Sequence, residues 1–270
     1  MNNKRRLQIE KMADDVRDKC NVAECGILNI FEVAERLGYK VIRYPIGSNA
    51  FLGFSLLKDA DRIIFSNSSI ILSREIFTVA HEIGHQKLHL SEQGITLIKD
   101  NDLEDRDEFE MEANYFAANL LMPEEKVRKF IKFELAKEDN SEWTGWDIAK
   151  LQTNFNVSYD MTLYRLKSLG MLNDCLFNKL QSEKIEKSAT RLLKAIRGNI
   201  DLCKPMEIVK VPDEFLEWAI TNYKNKLVPI KSVEKALKYV NLDIEDLDFG
   251  EEEQGHTNEE SLDDLIGRMD

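Results

Sequence analysis

The spacing of apolar residues predicts helices first and strands next. Residues 4–19 and 28–38 carry apolar side chains at about the 3.6-residue period of an amphipathic helix. Gly38 is the expected end of the second helix, because glycine readily adopts the left-handed conformation that closes many helices. Three strand-like runs follow at 39–44, 50–58 and 62–65. Their short connections predict a small antiparallel sheet.

A further helical pattern covers residues 73–85, where apolar residues recur at 76, 77, 79, 80 and 83. Ser73 is the expected N-cap of this helix, and Glu75 places a negative charge near the positive end of the helix dipole. The helix therefore begins with ordinary signals. Its unusual residues lie at its other end.

Two histidines and a glutamate close this helix with the spacing HExxH. His81 and His85 are four residues apart, so both imidazoles lie on one face and can bind one ion. Glu82 lies about 100° around the helix, where it flanks the ion and can take a proton from a water on it. Three of the four histidines fall in this segment, His89 being the third. Such polar residues are costly to bury without partners, which favours a metal site over a chance match.

A catalytic zinc needs a third protein ligand and one open position. A third histidine six residues after His85 is excluded, because Ser91 stands there. His89 lies about 12 Å along a straight helix from His81, too far to share the ion. We therefore interpret His89 as a core residue or as a second-shell partner of a ligand.

The third ligand is expected from the acidic start of a second apolar helix, which runs from 108 and ends at Pro123. Glu110 is our choice, because Asn114 stands four residues later on the same face and can hydrogen-bond a ligating histidine. Glu112 is the alternative third ligand. Small residues at 113, 117 and 118 would let a neighbouring helix approach closely.

The remaining chain predicts helices and an acidic tail. Residues 91–107 are expected to form an exposed loop, and an amphipathic helix follows at 126–137. Residues 146–170 predict a helix-turn-helix-like pair, with Ser158 as N-cap of its second helix. Residues 176–197 predict one helix, 206–211 a short strand, and 213–225 and 230–240 two more helices. The composition from 243 to 270 predicts disorder.

Charge and composition exclude several classes of protein. The net charge is −12, but the tail from 243 to 270 holds twelve acidic residues and one basic residue, which leaves about −1 (−12 minus −11) for the rest. No basic face is evident, so direct nucleic-acid binding is not expected. No run approaches the roughly 20 apolar residues of a membrane span, and the N-terminus does not resemble a secretory signal. Four scattered cysteines fit a reducing cytoplasm.

The segment 77–85 and the segment 110–123 together resemble the ImmA/IrrE family of metallopeptidases, which are gluzincin-type enzymes with a metal site similar to that of thermolysin. The resemblance covers roughly residues 25–172. It implies a zinc site made of His81, His85 and Glu110, with Glu82 as general base. It also implies a substrate class, the helix-turn-helix repressors, whose site-specific cleavage releases mobile-element or stress genes.

These observations together predict an α+β, mainly helical, zincin-like peptidase. The expected domains are a metallopeptidase domain at 1–172, a small helical domain at 176–242 and the tail at 243–270. Two imidazoles and a carboxylate suit Zn²⁺, with Mn²⁺ as the alternative ion. The competing interpretation is a regulatory protein that sequesters a repressor without cutting it and whose metal is structural or vestigial. A third, a DNA-binding factor acting through 146–170, fits the near-neutral body poorly.

Overall fold

The computed structural model describes residues 1–23, 25–58, 60–90, 97–99, 107–137, 142–240 and 242–246. The chain divides into two compact units, Met1–Pro212 and Asp213–Asp270. In chain order, the described part of the first unit contains α1 (Asn3–Lys19), α2 (Ile30–Arg36), β1 (Lys40–Tyr44), β2 (Gly53–Lys58), β3 (Asp61–Asn67), α3 (Leu72–His85), a π-helical turn (Gln86–Leu90), β4 (Leu97–Lys99), α4 (Asp107–Leu121), α5 (Glu124–Phe133), α6 (Gly145–Phe155), α7 (Tyr159–Ser168), α8 (Asp174–Lys187), α9 (Ala189–Ala195) and a 3-10 turn (Ile200–Cys203).

The sheet is small and mixed, with strand order β1-β3-β2-β4. Strand β2 runs antiparallel to β3, as predicted, and also to β4, which was not predicted, while β1 pairs with β3 in parallel. The connection between β1 and β2 is long enough to cross the width of one strand, which leaves room for β3 between them. The predicted α+β, mainly helical class is confirmed, while the purely antiparallel arrangement is wrong for this one strand pair.

Helix α3 packs against one face of the sheet and, on its other side, against α4. Its core contacts are made by Ile76, Val79, Ala80 and Ile83, all buried, which is the apolar stripe that the sequence predicted. Helix α1 packs against α4 in turn. The two helices that carry the candidate ligands are therefore both held in the interior of the unit.

The start of α3 differs from the prediction. The helix begins at Leu72, its N-cap position is Ile71, and no side chain caps it, so Ser73 is not the N-cap. Instead, the backbone N–H of Leu72 donates to the carbonyl of Lys204, 2.9 Å away. A carbonyl from a distant segment of the chain therefore accepts a hydrogen bond from the start of the helix, a role that was expected of the Ser73 side chain.

Glu75 is fully buried, so it does not act as an exposed charge near the helix dipole. Its carboxylate accepts two hydrogen bonds from the Arg43 guanidinium, each 2.8 Å long, and one of 3.0 Å from Ser66 Oγ. The guanidinium also stacks over the Phe31 ring, 3.6 Å from its centroid. This buried ion pair joins β1, β3 and the first turn of α3.

The region after the peptidase motifs belongs to the same unit for longer than predicted. Helices α6 and α7 form the predicted helical pair, and Ser158 caps α7 by accepting from the Met161 N–H. The predicted single helix at 176–197 is two helices, because Ser188 adopts a positive φ of 59° between them. The buried side chains that tie this region to the main core are Phe177, Leu180, Leu192, Leu193 and Leu202. The boundary between compact units therefore falls after Pro212, not near residue 176.

The described part of the second unit, residues 213–240 and 242–246, contains α10 (Glu214–Lys224), α11 (Ile230–Tyr239) and a 3-10 turn at Ile244–Asp246. Both helices were predicted. The predicted strand at 206–211 does not form, although Lys210 makes an isolated bridge with Arg43 and the Glu207 N–H donates to the Ser68 carbonyl, 3.0 Å away. Of the predicted loop at 91–107, Leu97–Lys99 forms β4. The rest of that loop up to 106, like the tail prediction from 247 onward, lies outside the described residues.

No helix in the described ranges is both long enough and apolar enough to cross a membrane.

Candidate metal centre

Three side chains from α3 and α4 converge on one point. His81 Nε2 lies 3.0 Å from Glu110 Oε2, and His85 Nε2 lies 3.1 Å from Glu110 Oε1. The two Nε2 atoms are 2.8 Å apart. Both histidines are buried, whereas Glu110 is partly exposed. The structure thus brings together the three residues that the sequence named as ligands.

The donor set fits a divalent ion. The ligand atoms of His81, His85 and Glu110 all lie within 4.8 Å of one another. A tetrahedral zinc with bonds of about 2.0–2.2 Å holds its ligands about 3.3–3.5 Å apart, so separations of 2.8–3.1 Å need only a small expansion of the cage. Two imidazoles and one carboxylate are also the protein ligands of a catalytic zinc that keeps a fourth position open.

Glycine allows the two helices to come this close. A Cβ at Gly84 would lie 3.1 Å from Phe116 Cδ1, 3.2 Å from Ala113 Cα and 3.3 Å from the Ala113 carbonyl oxygen. Ala113 and Phe116 are themselves fully buried on α4. The close approach brings the first turn of α4, and with it Glu110, up to the two histidines. The sequence indicated this from the small residues of α4, but not from Gly84.

Hydrogen bonds set the protonation of the two imidazoles. His81 Nδ1 lies 3.1 Å from Asn114 Oδ1, which is an acceptor, so Nδ1 carries the proton and Nε2 is left to bind an ion. Asn114 thus stands where the sequence placed it. Burial works to raise the pKa of Glu110, but its contacts with His81 and His85 outweigh burial and lower that pKa. Glu110 is therefore an anion at neutral pH.

Glu82 is buried beside the cage and is held by the sheet. Its Oε2 accepts a hydrogen bond of 2.6 Å from Ser55 Oγ, which also lies 3.0 Å from the Glu82 carbonyl oxygen. Gly53, two residues earlier on β2, has no room for a side chain, because its Cβ would meet Thr78 Cγ2 at 2.6 Å and the Phe65 carbonyl oxygen at 2.8 Å. The glycine lets β2 lie directly against α3, so that Ser55 reaches Glu82.

His89 and Glu112 lie next to the cage and contact each other. His89 is fully buried on the π-helical turn, with Nδ1 2.9 Å from His85 Nδ1 and Nε2 3.3 Å from Glu112 Oε2. Burial lowers the pKa of His89 to about 4, which keeps the imidazole neutral. Glu112 is bound by the Arg5 guanidinium at 2.7 and 2.6 Å. The geometry therefore favours Glu110 over Glu112 as third ligand, and it places His89 against a ligand as the sequence expected.

Sequence reasoning missed the residues that come from a distance. Ser55 left only a weak signal, a polar residue on the buried face of a strand. Arg5 left none, because it stands 107 residues before its partner Glu112 in a basic segment that looks solvent-exposed. Pairing between residues so far apart is visible only in the folded chain.

Comparison with known proteins agrees with this geometry. Residues 34–167 match the Peptidase M78 family model, described as an IrrE N-terminal-like domain. A relative from Bacillus phage phi105, named "Uncharacterized immunity region protein 2", is 29% identical over 111 residues, which is 41% of this chain and 69% of the phage protein. The family is one of metallopeptidases, so it implies a metal ion, and the His-His-Glu cluster lies inside the matched range. This chain therefore belongs to the Peptidase M78 family through an IrrE N-terminal-like domain at residues 34–167.

Proposed function

We propose that this protein is a metal-dependent endopeptidase that cuts a helix-turn-helix transcriptional repressor at a defined site and so releases mobile-element or stress genes. The observation that carries the proposal is the convergence of His81, His85 and Glu110, with Glu82 held beside them by Ser55. Zn²⁺ is the ion that this donor set suits best, with Mn²⁺ as the alternative.

A divalent ion in this cage supplies Lewis acidity, which polarises a scissile carbonyl and acidifies water. Glu82 accepts a proton from the attacking water on its carboxylate and delivers it to the nitrogen of the leaving amine, so that one acid and one amine result. Ser55 donates to Glu82 Oε2 and thereby fixes the direction of that carboxylate. His81 and His85 present Nε2 because Asn114 and His89 engage their Nδ1 atoms.

The substrate class rests on the family and on the name of the phage relative. The relative from phage phi105 is named an immunity region protein, which is consistent with a role in the control of phage genes. The helical pair α6–α7 is used for packing, since Ile148, Leu151, Phe155 and Leu166 are fully buried. The burial of these side chains favours a packing role for the pair over DNA reading.

The decisive experiment is incubation of the protein with each purified helix-turn-helix repressor that the neighbouring genes encode. Wild-type protein with Zn²⁺ is expected to give two discrete fragments, and EDTA is expected to prevent them. Glu82→Gln should keep the metal and give no fragments, whereas Glu110→Gln should lose metal affinity as well. Glu108→Gln is the matched control, because Glu108 is an exposed acid two residues from Glu110. Normal cleavage by Glu82→Gln would contradict the mechanism. A stable complex that wild-type protein never cuts would support sequestration instead.

A further inference from the structure

A chain of polar side chains runs from the candidate metal cage to the N-terminal helix. His85 offers Nε2 to the cage, and its Nδ1 lies 2.9 Å from His89 Nδ1. His89 Nε2 lies 3.3 Å from Glu112 Oε2, and Glu112 in turn accepts 2.7 and 2.6 Å hydrogen bonds from Arg5 Nε and Nη2. The contacts are continuous from α3 through the π-helical turn and α4 to α1.

The direction of every hydrogen bond among these four side chains follows from Arg5, at the outer end of the series. A guanidinium only donates, so Glu112 faces Arg5 as an ionised acceptor, and its Oε2 is an acceptor for His89 Nε2–H as well. His89 Nδ1 is then the unprotonated nitrogen and accepts from His85 Nδ1–H. His85 Nε2 then carries no proton, which is the tautomer that binds a metal ion.

This series of hydrogen-bonded side chains lies largely in the protein interior. His89 is fully buried, and its ring stacks on Phe109 at 4.4 Å between centroids with an interplanar angle of 25°. Glu112 is 5% exposed. Arg5 lies in the first turn of α1, whose N-cap Asn2 accepts a 2.9 Å hydrogen bond from the Arg5 N–H. Each member is thus fixed by packing or by a cap as well as by its neighbour in the chain.

We infer that Arg5, Glu112 and His89 act as a relay of positioning residues that selects the metal-binding tautomer of His85, and that helix α1 is thereby a working part of the metal centre. Arg5 lies before residue 34, where the match to the family model begins. The inference deepens the proposed function and rests on its metal site. It assigns Glu112 a role as the anchor of the relay rather than as a ligand.

The test measures Zn²⁺ affinity of the full chain by competition with a chelator. Loss of a residue that orients a metal ligand costs about 10–100-fold in metal affinity. Arg5→Gln is expected to lose about tenfold, and His89→Phe, which keeps a buried ring but removes both nitrogens, is expected to lose up to about a hundredfold. The double variant should be no weaker than His89→Phe alone, because both changes break one relay.

Two further variants separate geometry from charge. Lys4→Gln removes the same charge from an exposed neighbour on α1 and should bind Zn²⁺ as wild type does. Arg5→Lys keeps the charge but lacks the planar guanidinium that donates two hydrogen bonds to Glu112. Its Zn²⁺ affinity should therefore lie between that of wild type and that of Arg5→Gln. With Co²⁺ in place of Zn²⁺, the visible absorption spectrum should change in Arg5→Gln and His89→Phe and stay unchanged in Lys4→Gln.

The outcomes are distinguishable from a failure of the proposed function. If wild type binds Zn²⁺ while Arg5→Gln and His89→Phe bind it within twofold of wild type with the same Co²⁺ spectrum, the relay is wrong and the metal site stands. Lower melting temperatures of the metal-free variants without a change in Zn²⁺ affinity would also overturn it, since the residues would then be structural only. If wild type binds no Zn²⁺, the metal site and the relay fall together. Should Arg5→Gln not fold, His89→Phe alone decides.

Discussion

Replacing Gly84 with alanine tests whether the α3–α4 contact sets the metal cage. The new Cβ would lie 3.1–3.3 Å from Phe116 and Ala113, whereas carbon atoms pack at about 3.5–4.0 Å. The helices must therefore move apart by about 0.3–0.5 Å. Metal–ligand distances vary by only about 0.2 Å, so the Glu110 carboxylate would lie too far from an ion held by the two histidines. We expect metal affinity to fall by about tenfold, as it does when ligand orientation is disturbed.

Gly84→Ala should also change stability, by an amount comparable to the roughly 1.4 kcal/mol that a tenfold loss of affinity represents. Alanine gains about 0.5–1 kcal/mol over glycine within a helix, while overpacking a core costs about 1–3 kcal/mol, so Gly84→Ala should lose at most about 2.5 kcal/mol of stability. Urea unfolding of the metal-free protein measures this term, and chelator competition measures the affinity. Leu180→Ala on α8 is the control, since its cavity should cost about 2–5 kcal/mol and leave the cage alone. Unchanged Zn²⁺ affinity in Gly84→Ala would show that the helix spacing does not control the site.

Three further predictions concern the buried polar groups. Arg43→Met leaves the carboxylate of Glu75 buried without its cation and should lower the free energy of unfolding by about 3–5 kcal/mol in urea titrations; a loss under 1 kcal/mol would contradict this. Burial lowers the pKa of His89 from 6.5 to about 4, so on acidification the unfolded chain takes up a proton at this residue before the folded chain does. The free energy of unfolding of the metal-free protein should therefore fall by up to about 3 kcal/mol as pH falls from about 6.5 to about 4. His89→Phe should flatten that slope, and an equal slope in both proteins would exclude His89 as its source. Ser55→Ala removes the hydrogen bond to Glu82 and should slow repressor cleavage about tenfold with unchanged Zn²⁺ affinity; weaker Zn²⁺ binding would place Ser55 in the cage instead.

Much of the site was predictable because its signals are local. His81 and His85 stand four residues apart on one helix, and that spacing alone places both imidazoles on a single face. The choice of Glu110 needed one more local relation, its distance of four residues from Asn114. The structure puts all of these side chains where the helical period placed them, since helix geometry depends on near neighbours only.

The helices themselves followed from apolar periodicity, yet several of their ends did not. The N-terminus of α3 is satisfied by the carbonyl of Lys204, more than 100 residues away, which makes a local cap at Ser73 unnecessary. The single helix expected at 176–197 breaks at Ser188, where a positive φ turns the chain. Helix ends depend on whatever partner reaches the unsatisfied backbone groups, and that partner is a tertiary matter.

The sequence by itself determined which residues can bind a metal, on which helix face they stand, and that the chain is mainly helical with a small sheet. Tertiary structure decided how β1 pairs, where the first compact unit ends and which distant residues serve the site. Ser55 reaches Glu82 because Gly53 lets a strand lie against α3, and Arg5 reaches Glu112 across 107 residues. Contacts of this kind arise from packing between separate elements, which no local pattern of residues records.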